Sequence, residues 1–252
     1  MCRGFRIIHQ LGTNIYIAKL TAKEYAEIGI VVIRLYSARE RVLYTTICTI
    51  PNVVRCIGYT NIYQILEYTD ASLQDTDIRG LSTLFGGGIR TFQRSLLIQV
   101  LCTYQLLIRR YGFTHGDLEL RNILVKKSVE ETQSLLIYIF GDIAFVVKTH
   151  GILFLLSDFG KSSLWSTPTE QQTQIRTDIL RFLYVLGQIM VSGTGSGRVS
   201  GTSNVTRVTA SRDLPLKLLL GWVLTRPLEA TKERIAKWKR LEARGRATLL
   251  QA

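Results

Sequence analysis

Short apolar, β-branched runs alternate with polar breaks through the first third of the chain. Residues 5–11, 15–20 and 28–36 are such runs, parted by Gly12-Thr13-Asn14 and by the polar residues 21–27, and each predicts a strand. Ser37 then stands where a helix cap belongs. Glu40, Leu43, Tyr44 and Ile47 follow at helical spacing, so a short helix is expected from Ala38. Two more strands are read at 53–58 and 61–68, and a small antiparallel sheet with one helix fits this order.

Beyond it, residues 70–88 are rich in Asp, Ser, Thr and Gly and read as a connector. Residues 92–111 form the strongest helical pattern, with Leu96, Leu97, Val100, Leu101, Tyr104, Leu107 and Ile108 recurring every three or four positions until Gly112. Residues 135–147 and 151–156 are apolar and β-branched, with turn signals at Gly141-Asp142 and Thr149-His150. They predict a β-hairpin inserted between Asn122 and Asp158, with Asp158 delivered from its last strand. Residues 175–191 return to helix, with Asp178 near its start. Residues 192–209 are Gly-, Ser- and Thr-rich and read as a loop, and 231–246 as a basic helix.

Composition narrows the class. A chain of 252 residues with 46% hydrophobic content can bury a sizeable core. The longest apolar stretch, 135–156, is broken by Asp142 and Lys148, so no membrane span is expected. The first residues lack the apolar core of a signal peptide, and an intracellular setting, cytoplasm or nucleus, is the expectation. Cys2, Cys48, Cys56 and Cys102 show no C-x-x-C spacing, so reduced thiols are expected rather than a zinc site. The net charge of +13 favours polyanionic ligands. Much of it is local: residues 207–252 hold eleven Lys or Arg against four Asp or Glu. Contact of that stretch with nucleic acid or an anionic surface is one reading; a solvated helix face is the other.

The chemistry lies in two fragments. Residues 114–125 contain His115-Gly116-Asp117 and, five positions after Asp117, Asn122; residues 158–160 read Asp158-Phe159-Gly160. An H-x-D-x-x-x-x-N loop places a carboxylate that can orient a hydroxyl or take its proton. It also places an amide oxygen that can hold Mg²⁺. A later D-F-G adds a second hard oxygen for the same metal.

With these motifs the chain resembles the protein kinase superfamily, in particular the divergent serine/threonine kinases of large DNA viruses. Those share with haspin-type kinases a β-hairpin between the catalytic loop and the metal-binding Asp. The resemblance implies an α+β, two-lobed fold over residues 1–190, with a β-rich N-lobe at 1–68 and a mainly helical C-lobe at 69–190. Residues 191–252 then form a loop and a basic helical segment. It implies ATP and Mg²⁺ as cofactors, a protein substrate and, for a viral protein, a host-cell location. By it Asp117 is the catalytic base, Asn122 and Asp158 are the metal ligands, and His115 braces the loop. Arg34 and Glu40 form the phosphate-side ion pair. Leu66 is the gatekeeper of a hinge whose Glu67 and Thr69 backbones meet the adenine, and Gly12 is the remnant of a phosphate loop. Asp178 braces the catalytic loop or, on its own residue type, simply caps its helix.

The chain also departs from that pattern. Arg34 stands where V-A-I-K has lysine, within Val31-Val32-Ile33-Arg34, and a planar guanidinium fits between phosphates differently from an ammonium. Lys19 is a second candidate for that charge. Glu40 follows Arg34 by only six residues. Glu119 stands where serine kinases place a lysine beside the transferred phosphate, and a carboxylate there repels it unless Arg121 or the metal offsets the charge. Gly116 replaces the arginine that pairs with a phosphorylated activation loop. Seventeen residues separate Gly160 from Asp178, with no A-P-E triplet. Two alternatives therefore stay open: a pseudokinase that binds nucleotide without turnover, and a phosphotransferase acting on a small molecule.

Overall fold

A computed structural model describes residues 5–21, 29–86, 88–127, 135–165, 167–192, 215 and 227–252. The loop expected at 192–209 lies almost wholly outside them, as does Cys2. At the N-terminal end β1 (Phe5–Gly12), β2 (Ile15–Leu20), β3 (Ile30–Leu35), β4 (Cys56–Tyr59) and β5 (Tyr63–Glu67) form an antiparallel sheet in the order β1-β2-β3-β5-β4. Strand alternation sorts its side chains. Ala18, Leu20, Val31 and Ile33 pack together on one face. Ile17, Val32 and Leu66 stand opposite one another in register on the other, with Arg34 opposite Gln64 one step along.

α1 (Ala38–Ile47) crosses that second face. Its start is fixed by a capping box, in which the Ser37 side chain accepts from the Glu40 amide while the Glu40 carboxylate accepts from the Ser37 amide. Leu43, Tyr44 and Ile47 are buried in the main core, where Leu66 also lies.

The second lobe is built on α3 (Gly88–Tyr111). This helix is buried on every side from Ile98 to Ile108 rather than along one stripe, because other elements surround it. Gln99, buried among them, is tied into a hydrogen-bond network. Gln99 Oε1 accepts from Asn52 Nδ2 (3.0 Å) and the Phe154 amide (3.1 Å), and the Tyr138 hydroxyl donates to Asn52 Oδ1 (2.7 Å). The connector 70–88 holds more structure than its composition suggested: β6 (Ala71–Ser72) and α2 (Ile78–Thr83), the latter capped by Asp77. β7 (Phe113–Thr114) leads into the loop that carries His115, Asp117 and Asn122, and β8 (Ile123–Lys127) leads out of it.

The inserted hairpin is present as β9 (Leu135–Phe140) and β10 (Ile143–Lys148), turning at Gly141-Asp142. The strand that delivers Asp158 is not part of it, which corrects the expectation. β11 (Ile152–Leu156) pairs with β8 in the three-stranded order β11-β8-β6, so Asp158 is registered against the strand that leaves the 115–122 loop. β12 (Ser163–Leu164) pairs with β7. α4 (Pro168–Ser192) begins well before the expected 175, which puts Asp178 mid-helix and overturns the cap reading.

The C-terminal stretch joins the hairpin. β13 (Leu228–Glu229) pairs with β10, and β14 (Ala247–Gln251) runs parallel to β9. Between them α5 (Lys232–Glu242) seats Trp238 on Ile137, Ile139 and Ala144 and leaves most of its basic residues exposed. The whole is a two-lobed α+β arrangement, as expected. No described helix is long and apolar enough to cross a membrane.

Candidate active site

α3 ends at Gly112, whose φ of +61° suits glycine and where a Cβ would press on the Trp165 carbonyl. The chain then enters the loop through β7. Asp178 anchors it from below: fully buried in α4, its Oδ2 accepts from the amides of His115 (3.0 Å) and Gly116 (3.1 Å) and from the Tyr104 hydroxyl (2.6 Å). Three donors on one oxygen compensate a buried carboxylate. Burial pushes the His115 imidazole below its ordinary pKa, against the pull of Asp178. The neutral ring then carries its proton on Nε2, which lies 3.0 Å from the acceptor-only Ser157 carbonyl. Phe159 stacks edge-on against His115 (5.4 Å) and Tyr44 (4.8 Å), linking α1 to the loop.

The β8–β11 register brings the two motifs together. The Ser157 amide donates to the Asn122 carbonyl (2.9 Å), so Asp158 sits one residue beyond Asn122's partner. Asn122 Nδ2 donates to the Asp117 carbonyl (2.8 Å), which turns the amide oxygen away from that bond. Asp158 adopts a left-handed φ of +59°, and its side chain is 46% exposed. Arg34 reaches it from the other lobe, with Nη1 3.1 Å from Oδ1, while Nη2 also pairs with Glu40. The short connection from Arg34 to Glu40 works because Glu40 lies in the first turn of α1. An amide oxygen and a half-exposed carboxylate are a partial shell of hard ligands, which fits Mg²⁺ completed by phosphate and water oxygens.

Asp117 is nearly buried and ringed by three cations, two of them from outside the motif. Lys161 Nζ is 3.0 Å and Arg121 3.2 Å from Oδ2, and Arg181 of α4 is 3.3 Å from Oδ1. Burial alone raises the Asp117 carboxyl; the hydrogen bond and charge of Lys161, then the charge of Arg121, outweigh it and hold the pKa below its ordinary value. Glu119 turns to Arg121 (3.2 Å) and Arg181 (4.0 Å). Sequence reasoning missed Lys161 and Arg181. The one signal for Lys161 was its position next to Asp158-Phe159-Gly160; Arg181 reaches Asp117 only through the tertiary placement of α4.

The remaining expected residues are more dispersed. Leu66 is buried on the cleft face, Glu67 ends β5, and Thr69 is half-buried in the connector to β6. The Glu67 side chain ties the lobes by accepting from Lys126 Nζ (2.5 Å) and the Arg55 amide (2.7 Å). A cleft of about 500 Å³ beside it is lined by Ile30, Arg55, Ile57, Glu67, Tyr68 and Lys126 rather than by the loop carboxylates. Gly12 ends β1 in open space, and the left-handed turn residue is Asn14. Lys19 is not brought to Arg34. The register puts Ile30 across from Lys19 and Ile15 across from Arg34, roughly 13 Å apart along the strand, and Lys19 is exposed.

No family model matches the chain. No curated protein matches it either. Among solved structures, the Rad53 kinase domain with SCD2 in complex with AMPPNP is 16% identical with a TM-score of 0.49, covering 85% of this chain and 71% of that one. The Rad53 kinase domain with SCD2 alone gives the same identity and TM-score and 72% of its length. A likeness of that degree says nothing about activity.

Proposed function

We propose that this chain transfers the γ-phosphoryl group of ATP, with Mg²⁺, to a serine or threonine hydroxyl of a protein, as a divergent protein kinase-like enzyme. The observation that carries the reading is the convergence of Asp117, Asn122 and Asp158 at one end of the β8–β11 pair, with Arg34, itself paired with Glu40, reaching Asp158 from the other lobe. The hairpin β9–β10 between Asn122 and Asp158 supports the likeness to haspin-type and viral kinases.

In this reading Asp117 accepts a hydrogen bond from the substrate hydroxyl and takes its proton as the oxygen attacks. Asn122 and Asp158 would hold Mg²⁺, which neutralises charge on the phosphates. Arg34, oriented by Glu40, faces the phosphates from above. Leu66, Glu67 and Thr69 border the adenine side. Positioning and electrostatics supply the acceleration.

Two observations keep rivals in view. Arg34 already occupies an Asp158 oxygen, which favours a pseudokinase that binds without turnover. Only residues 161–167 separate Gly160 from α4, a small platform for a peptide, which favours a small-molecule acceptor. The test is incubation of the full chain with Mg²⁺, γ-labelled ATP and a library of Ser-, Thr- and Tyr-centred peptides, beside Asp117→Asn. Label on Ser or Thr peptides, lost in the variant, supports the proposal; turnover that never labels a peptide points to a small acceptor.

A further inference from the structure

Position 119 carries a carboxylate where a cation beside the transferred phosphate is wanted, and the structure offers a replacement from a different element. We propose that Lys161 supplies that cation, bridging Asp117 and the γ-phosphoryl group, and that Gly116 is the residue that lets it approach; this rests on the phosphotransfer reading above.

Lys161 closes the turn Phe159–Lys161, directly after the carboxylate that would bind metal. Its Nζ lies 3.0 Å from Asp117 Oδ2, yet its side chain is 65% exposed, so the ammonium stands at the mouth of the site. A compact ammonium has three donors and can hold the carboxylate and a phosphate oxygen together. Arg121 and Arg181 also touch Asp117, but both share their charge with Glu119. Lys161 has no such second carboxylate among its ion pairs in the described residues.

Gly116 explains how Lys161 comes so close. It has a φ of +78°, and a Cβ built on it would collide with the Lys161 carbonyl and its carbon. The Ser162 hydroxyl pins the same turn by donating to the His115 carbonyl (2.8 Å). Any side chain at 116 drives the turn, and Lys161 with it, off the loop.

In the transfer, the hydroxyl oxygen forms a bond to the γ-phosphorus, and the bond from that phosphorus to the β–γ bridging oxygen breaks. ADP leaves with the electron pair, and the hydroxyl proton passes to Asp117. Lys161 stays protonated and offsets charge on the moving phosphoryl. Asp117 is faced by Lys161 from this turn, Arg181 from α4, and Arg121, Glu119 and neutral His115 from its own loop.

The experiment measures Mg²⁺-dependent phosphate release from ATP, with water as acceptor, for the full-length chain and for Lys161→Met, Lys161→Arg and Lys161→Met/Glu119→Lys, with thermal melts to establish folding. Lys161→Met is expected to lower kcat about 100-fold with KM for ATP little changed. Lys161→Arg should recover part of the loss, and the double variant, which moves the charge to position 119, at least tenfold of it. A folded Lys161→Met with unchanged kcat overturns the proposal, as does a loss that neither charge-restoring variant relieves. A wild-type chain without turnover fails the phosphotransfer reading itself, and this inference falls with it.

Discussion

At Arg34 one guanidinium serves two carboxylates, Glu40 and Asp158. The fork geometry suits that sharing, but it engages an oxygen that a metal would want. An ammonium at the same place binds less rigidly. Arg34→Lys is therefore expected to raise Mg²⁺-dependent turnover about tenfold, a change of about 1.4 kcal/mol in the barrier. A folded variant with no gain over an active wild type would show that Arg34 does not hinder the metal, and no turnover in either would place the chain with the pseudokinases. His115 yields a second prediction. Its folded pKa lies below the ordinary 6.5, so the unfolded chain binds the extra proton first. Stability is then level at neutral pH and falls as pH drops through about 6.5, and His150, depressed by partial burial and then by Lys148, acts in the same direction. Asp117, with its pKa lowered, contributes stability above the ordinary carboxylate range and loses it only at much lower pH. Melting temperatures from pH 8 to pH 5 test this; His115→Gln should flatten the upper part of the fall. The motif residues at this scale were legible because their spacing is local. Lys161 and Arg181 were not, since each reaches Asp117 from another part of the fold.

At the scale of elements, the delivery of Asp158 depends on β11 being held in place. Asn52, Gln99 and Tyr138 form a buried network that grips the Phe154 amide and carbonyl. Asn52→Ala removes a hydrogen bond from each of three buried groups, Gln99 Oε1, the Phe154 carbonyl and the Tyr138 hydroxyl, and is expected to destabilise the fold by about 3 kcal/mol, read as a lower urea midpoint at unchanged slope. An unchanged midpoint would show that the network does not fix β11. The strands and α1 were readable from alternation and from the Ser37 cap because those signals are local too. Two features were not. The partner of β11 is a tertiary choice, since β8 and β10 are both apolar strands that a sequence pattern cannot rank. The start of α4 was hidden because residues 169–174, Thr169 to Gln174, are all polar and carry no apolar period, although Gln171 is buried.

For the whole molecule, the site exists only where the two lobes meet. Arg34 and Glu40 come from the N-terminal sheet and α1, Asp117, Asn122 and Asp158 from the β7–β8–β11 region, and Glu67 with Lys126 ties the lobes at the connector. The aromatic run Tyr44–Phe159–His115 joins α1 to the loop that Asp178 braces. The basic C-terminal helix sits apart from this, using Trp238 to cover the hairpin; its exposed face carries no observation that favours nucleic acid over solvent. The two lobes meet at Asp158, the proposed metal ligand that Arg34 reaches from the N-terminal sheet. The measurement that tests it most directly is Mg²⁺-dependent turnover of γ-labelled ATP by the full chain beside Asp158→Ala, with folding checked by thermal melt. The account predicts turnover by the wild-type chain and its loss, by at least 100-fold, in the folded variant. Equal turnover in both, or none in either, would contradict it.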